Sequence, residues 1–253
     1  MVKTSRFLFF LLLVYALFHL HQGFAQSEGY SSTLRSVGPV WNNATAAAHM
    51  NELTNRFRNW DGKPIKVSDI RGSMYFDENF EQGKVFLGGQ YYGSYLMRHN
   101  AYADEIEAKR SRQHDPEVIS KSTRLSFVIG NEKYVLKRFL DADKNLVEGY
   151  LSELVLGNAY SLYHRKVKYF KEGKKPETSF HQPVPPQFLD SNTYYIVVEG
   201  KNPKRFKKTK KSLMKHIPKQ DQALVRKFVK DNAINFKEIN DLIKLVAFMN
   251  TLN

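Results

Sequence analysis

The stretch "TRLSFVIGNEKYVLKRFL", Thr123 to Leu140, constrains the fold more than any other part of the chain. Leu125, Phe127 and Ile129 fall at every second position, Gly130-Asn131 interrupts the run, and Tyr134, Leu136 and Leu140 share a face after it. Period-two alternation on both sides of a two-residue glycine turn describes a β-hairpin with one face buried and one wet. "KVFLGGQYYGSYLMR" repeats the device around Gly88-Gly89, where positive φ costs little. "YSLYHRKVKYF" (Tyr160 to Phe170) and "TYYIVVEG" (Thr193 to Gly200) add strands rich in aromatic and β-branched residues. Between them "KEGKKPETSFHQPVPPQF" carries Pro176, Pro183, Pro185 and Pro186 and reads as a surface loop.

Helical periodicity flanks this region. Met50, Leu53, Phe57 and Trp60 lie on one helical face, with Thr45 or Asn43 placed to cap it and Asp61-Gly62 to end it. Near the C-terminus Leu224, Val225, Phe228 and Val229 form one stripe, and Ile239, Leu242, Ile243, Val246 and Met249 form another. Asn232 to Asn235 connects them, and a third short helix is expected to open near Ser212. Helices this short are marginal alone, so the hairpin they form is expected to dock on the sheet or on a partner. The expected fold class is α+β: an antiparallel β-hairpin meander with an N-terminal helix and a C-terminal helical hairpin. Aromatic strands also suit a membrane barrel, but Arg138 and Arg165 break the apolar faces that lipid requires, and the chain ends in a helix.

The first residues, "MVKTSRFLFFLLLVYALFHLHQGFAQ", read as a secretory signal peptide. Lys3 and Arg6 precede a fourteen-residue apolar run, Phe7 to Leu20, and Gly23 and Ala25 supply small residues before a cleavage point. A membrane anchor needs roughly 20 apolar residues, more than this run has. Cleavage before Gln26 leaves 253 − 25 = 228 residues with no second stretch of spanning length. The expected organisation is a signal peptide over 1–25 and an irregular lead-in over 26–43. A helix-plus-meander domain over 44–200 and a basic segment with C-terminal helices over 201–253 follow. Location is therefore expected to be periplasmic or extracellular. Asn43-Ala-Thr45 also fits a glycosylation sequon.

Charge and missing residue types narrow the function. The formal net charge is +14, or +12 once Lys3 and Arg6 leave with the signal peptide. A basic exported protein meets anionic sugars, lipid head groups and wall polymers before nucleic acid. Absence of cysteine excludes disulfides, thiolate metal sites and cysteine nucleophiles. Lys201 to Lys219, "KNPKRFKKTKKSLMKHIPK", holds nine Lys or Arg and no acid. Lys204, Arg205, Lys207, Lys208, Lys210 and Lys211 are the candidate anion-binding residues. A solvated edge strand, where lysine discourages aggregation, is the competing account of the same run. Arg165, Lys166, Lys168, Lys174 and Lys175 form a second basic cluster.

Other chemistry is thinly signalled. Ser212-Leu-Met-Lys215 matches Ser-x-x-Lys, in which the lysine activates a serine, yet no companion motif is present and Ser212 equally suits a helix cap. His49, His99, His114, His164, His181 and His216 have no second histidine at metal-ligand spacing. Asp104, Glu105 and Glu107 are the densest acids, and a solvated acidic face is expected there in preference to a calcium site. No cofactor or metal is implied.

"GSMYFDENFEQGKVFLGGQYYGSYLMRHNAYADEIEAK", Gly72 to Lys109, resembles a pattern found in a family of exported β-rich proteins of Bacteroidota-type bacteria. Its last piece, Leu96-Met-Arg98-His99-Asn100-Ala-Tyr102-Ala-Asp104-Glu105-Ile106-Glu107, departs from that pattern at Met97 and His99. The tail "SLMKHIPKQDQALVRKFVKDNAINFKEINDLIKLVAFMN" resembles the same family's closing helices. The resemblance implies export and architecture and carries no catalytic residues. The function expected is a non-enzymatic envelope protein that binds or scaffolds, with an anionic polysaccharide, lipopolysaccharide or another envelope protein as partner. The alternative is a hydrolase acting on an envelope polymer without a linear motif; a pocket gathering His, Asp or Glu and a hydroxyl would favour it.

Overall fold

Two glycine turns set the grain of the sheet. Gly88 and Gly89 take φ of 59° and 85° between β2 (Glu81–Leu87) and β3 (Gln90–Asn100), the left-handed pair that a tight hairpin needs. Gly130 alone takes positive φ, 55°, between β6 (Leu125–Ile129) and β7 (Glu132–Leu140). The computed structural model describes residues 40–252 apart from 179 and 181, and Trp41–Asn253 forms one compact unit. Met1–Ala25, nearly all of the lead-in and His181 lie outside the described residues.

The remaining strands are β1 (Trp41–Thr45), β4 (Glu105–Lys109), β5 (Glu117–Ile119), β8 (Leu146–Val155), β9 (Tyr160–Lys171), β10 (Gln187–Val198) and β11 (Lys204–Phe206). Together they form one curled sheet in the order β1-β5-β4-β3-β2-β6-β7-β8-β9-β10-β11, antiparallel throughout. With four helices added, the chain is mostly β and α+β in broad terms. The sheet is not a single meander. β2 pairs with β3 on one side and β6 on the other, so β2–β5 and β6–β11 are two runs joined back to back.

The sheet also forks. β9 pairs with β10 along its whole length, from Tyr160↔Val198 to Lys171↔Gln187. β8 meets β9 only at Ser152, Glu153 and Val155, and its first half pairs with β7 alone. The β3–β4 turn fills the gap. Lys168 N–H donates to Ala101 O at 3.0 Å, and Tyr150 N–H lies 3.3 Å from both carboxylate oxygens of Asp104. Asp104 sits at φ 55°, a conformation aspartate tolerates better than most residues. Gly149 makes room for it, since a Cβ there would meet Asp104 Oδ2 at 2.5 Å.

Helix α1 (Ala46–Thr54) starts at Thr45, whose hydroxyl accepts Ala48 N–H at 3.2 Å. It is shorter than the Met50-to-Trp60 stripe predicts. Asn59 and Asp61 side chains accept backbone N–H groups of Trp60 and Lys63, offering the chain a turn instead of another helical turn. Phe57 still reaches a core formed with Ile70, Met74 and Phe188, but Trp60 is exposed.

The C-terminal helices are α2 (Lys210–Met214), α3 (Gln222–Asp231) and α4 (Ile239–Met249). Leu213, Val225, Val229, Leu242, Leu245, Val246 and Met249 pack on Tyr160, Leu162, Tyr194, Ile196 and Phe206 of the sheet. Phe228 and Phe248 stack at 3.9 Å between α3 and α4. Asn250 ties the end of α4 to β9: its Oδ1 accepts Tyr160 N–H at 2.9 Å and its Nδ2 donates to Tyr160 O at 2.8 Å. Leu224, part of the predicted stripe, faces solvent, and so does Leu140 at the end of β7. Among the described residues no helix is long and apolar enough to cross a membrane.

Candidate functional site

The basic run does not stay on one surface. Lys204–Phe206 forms β11, the terminal strand of the sheet, in register with β10: Ile196↔Lys204, Tyr195↔Arg205 and Tyr194↔Phe206. Alternation puts Lys204 and Phe206 on the helix-covered face and Arg205 on the opposite one. Lys207 N–H donates to Ser212 Oγ at 3.0 Å. Lys208 Nζ donates to Lys237 O at 2.9 Å and lies over the Tyr194 ring. Lys210 and Lys211 are exposed on α2. None of the six makes an ion pair with an acid among the described residues. The cap of α2 is Thr209, not Ser212, and Ser212 makes no hydrogen bond to Lys215 among the described residues.

Arg205 shares its face with a groove at the end of the sheet. Lys137 and Arg138 of β7, Leu156 to Ala159 of the β8–β9 turn, Ser161 and Tyr163 of β9, Val197 of β10 and Gly200 to Pro203 line a depression of about 310 Å³. Among the described residues three cations contribute, Lys137, Arg138 and Lys201, and no acid does. Arg138 pairs with Glu148 at 3.5 Å and Lys201 with Glu199 at 3.0 Å. Both pairs are solvent-exposed and hold their cations weakly. Lys137 Nζ sits 5.8 Å from the centre of the Tyr163 ring. The hydroxyl of Ser161 is already turned to Gly157 O at 3.1 Å, leaving Tyr163 and the amides of Asn158 and Asn202 as the neutral polar groups. The sequence holds no local sign of this groove, because its cations come from residues 137, 138 and 201 and only topology unites them.

A second, larger cavity of about 570 Å³ opens where the β6–β7 hairpin meets β3 and β9. It is lined by Phe76, Asp77, Asn79, Glu81, Arg98, His99, Ile129 to Glu132, Tyr134 and Lys166. Behind it lies a buried polar network built from Arg98 to Glu107. Glu107 Oε1 accepts from Tyr75 OH at 2.8 Å and Asn100 Nδ2 at 3.0 Å, and Arg98 Nη2 meets Oε2 at 2.7 Å. Asp104 faces His99 Nε2 at 3.3 Å and Arg165 Nη2 at 3.8 Å. Burial alone would raise the Asp104 pKa, but the His99 hydrogen bond and the charges of His99, Arg165 and Lys121 outweigh it and hold the carboxyl below its ordinary value. Glu105 pairs with His49 at 3.1 Å; burial pushes its carboxyl up, and its Oε2 is buried without a partner among the described residues.

These three acids are therefore not the solvated face that composition suggests. They are interior groups, held by partners that strand pairing and the sheet fork deliver. Among the described residues no group of three or more His, Cys, Asp or Glu is placed to hold a metal. Compared with known proteins, the chain matches no family model, no curated protein and no solved structure.

Proposed function

We propose that this protein is an exported, non-enzymatic binding module whose ligand is an acidic polysaccharide of the cell envelope. Export rests on the reading of Met1 to Ala25, and the envelope assignment on that reading and on the resemblance of Gly72 to Lys109. The observation that carries the ligand class is the groove: three cations, a tyrosine and two amides, with no acid in its wall among the described residues. Carboxylates or sulfates on a sugar chain meet Lys137, Arg138 and Lys201, while hydroxyls meet Asn158, Asn202 and Tyr163. Arg205, one strand away on the same face, extends the positive track.

The hydrolase alternative draws on one feature, His99 held by Asp104 at the wall of the larger cavity. The one hydroxyl that lines that cavity among the described residues, Tyr134, donates to Glu132 Oε2 at 2.7 Å, and burial pushes its pKa up, which makes it a poor nucleophile. Binding is the better-supported reading.

Retention on an immobilised acidic polysaccharide tests it. Replacing Lys137, Arg138 and Lys201 with Gln is expected to abolish retention at about 0.15 M salt, where charges beyond about 8 Å are screened. Replacing Lys204, Lys207, Lys208, Lys210 and Lys211 removes more charge and is expected to weaken it less. The proposal fails if the larger substitution has the larger effect, or if retention on immobilised lipopolysaccharide alone is affected.

A further inference from the structure

We infer that the helical layer at the C-terminal end of the chain is a docking surface for an anionic lipid bilayer. The inference does not rest on the polysaccharide reading, because the groove lies on the other face of the sheet and takes only Lys201 from among this region's cations.

Charge is segregated along the chain. Residues 201–253 carry fourteen Lys or Arg against four acids, a net +10 of the +14 that the whole chain carries. The acids are mostly engaged. Asp221 is buried, Asp231 pairs with Lys227, and Asp241 Oδ2 accepts Asn235 N–H at 2.8 Å, which leaves Glu238. Apart from Lys227–Asp231 and Lys201–Glu199, none of the fourteen cations meets a carboxylate within ion-pair distance among the described residues. The cations stand on one outward layer. Val225, Val229, Leu242, Leu245 and Val246 bury the inner side of α3 and α4, so Arg226, Lys227 and Lys230 of α3 and Lys244 of α4 are exposed on the outer side. Two contacts join neighbouring segments to that layer. Lys208 Nζ reaches Lys237 O, tying the approach to α2 to the α3–α4 connection. His216 is held below its ordinary pKa by burial first and then by the charges of Lys204 and Lys215, which places β11 beside the end of α2.

What such a surface fits follows from the kind of cation and from its spread. Twelve of the fourteen are lysines. Lysine is a compact point charge, whereas arginine is the fork that grips single phosphates bidentately and serves nucleic-acid recognition. Lysines distributed over three helices and their connections suit a partner whose charge is itself spread over a plane. One apolar group completes the match. Leu224 is 52% exposed on α3, one turn before Lys227, so a leucine stands among the cations where it meets the acyl boundary of a bilayer. A duplex or an acidic sugar chain presents it mainly with charge and hydroxyls.

Co-sedimentation of the full chain with vesicles of phosphatidylglycerol and phosphatidylcholine in equal parts tests the inference. Vesicles of phosphatidylcholine alone give the background, including any binding by the apolar run Phe7 to Leu20, which every variant shares. The anionic vesicles are expected to bind the protein at least about tenfold more strongly, an advantage that shrinks as salt rises. Each lysine near an anionic bilayer contributes about fivefold, the equivalent of about 1 kcal/mol. Replacing Lys204, Lys207, Lys211, Lys215 and Lys237 with Gln is therefore expected to lower binding at least about a hundredfold. Replacing Lys66, Lys84, Lys171, Lys174 and Lys175 removes the same charge and is expected to lower it no more than about threefold. All ten positions are exposed, so both variants should fold, and unchanged melting temperatures confirm it. The chain has no cysteine, so Leu224→Cys carries an environment-sensitive dye at one site, and its emission is expected to shift to the blue on anionic vesicles only. Equal binding to both kinds of vesicle overturns the inference, and so do equal losses in the two Gln variants or a dye that does not respond. If duplex DNA or hyaluronate binds this layer and anionic vesicles do not, the partner is a polymer and the lipid assignment fails.

Discussion

Replacing Asp104 with Asn removes one negative charge from the wedge in the sheet fork and leaves its shape nearly intact. Asn tolerates the φ of 55° that Asp104 adopts, and its carbonyl oxygen can still accept Tyr150 N–H. What disappears is the charge facing His99 at 3.3 Å and Arg165 at 3.8 Å. Breaking a fully buried ion pair costs about 3–5 kcal/mol. The Arg165 side chain keeps 23% of its exposure and that of Asp104 13%, so some solvent compensation remains and a loss of about 2–4 kcal/mol is expected. For a chain of this size that corresponds to a melting temperature lower by roughly 5–15 °C. Asp104→Ala, which also deprives Tyr150 N–H and places a disfavoured residue at positive φ, should cost more.

The pH dependence has a definite sign. The folded-state pKa of Asp104 lies below the unfolded value of about 3.9, so its stabilisation is complete above that value and disappears as pH falls through the folded pKa. Thermal melts of wild type and Asp104→Asn should therefore differ above about pH 5 and converge as pH falls below about pH 4. Equal melting temperatures at neutral pH, or a gap that persists well below about pH 4, would refute the wedge as a charge-stabilised element.

Asn250→Ala removes both hydrogen bonds to the Tyr160 backbone, a loss of about 2 kcal/mol that calorimetry should register as roughly 4–8 °C. Leu245→Ala opens a hole in the fully buried helix–sheet core and should cost about 2–5 kcal/mol in denaturant unfolding. Leu224→Ala, on the same helical hairpin but exposed, should stay within about 0.5 kcal/mol, and equal losses at both positions would mean the helices dock differently.

Local features of the fold were legible because their causes are local. Gly88-Gly89 and Gly130 mark hairpins through backbone freedom that other residues lack, and the spacing of Leu242, Val246 and Met249 follows from a single buried helix face. The pairing of β2 with β6 was not legible, since it joins segments separated by three intervening strands. Helix α1 was overextended because Trp60 falls at a helical interval by coincidence, whereas Asn59 and Asp61 hold a turn. Burial of Asp104, Glu105 and Glu107 ran against their composition: an acid reads as solvated until its partners are known, and Arg165 and His49 lie far away in sequence. One signal did exist. Gly149 in the middle of a strand marks a close approach, and the group approaching is Asp104. For the groove, the eye is drawn to the dense run after Lys201, while Lys137 and Arg138 look like ordinary exposed positions of a strand.

The most direct measurement of the binding account is a map of backbone amide shifts as an acidic oligosaccharide is added to the protein at about physiological salt. The account predicts saturable changes centred on Lys137, Asn158, Tyr163, Lys201 and Asn202, fading as salt rises. Changes centred on Lys207 to Lys211, or none anywhere in the chain, would contradict it.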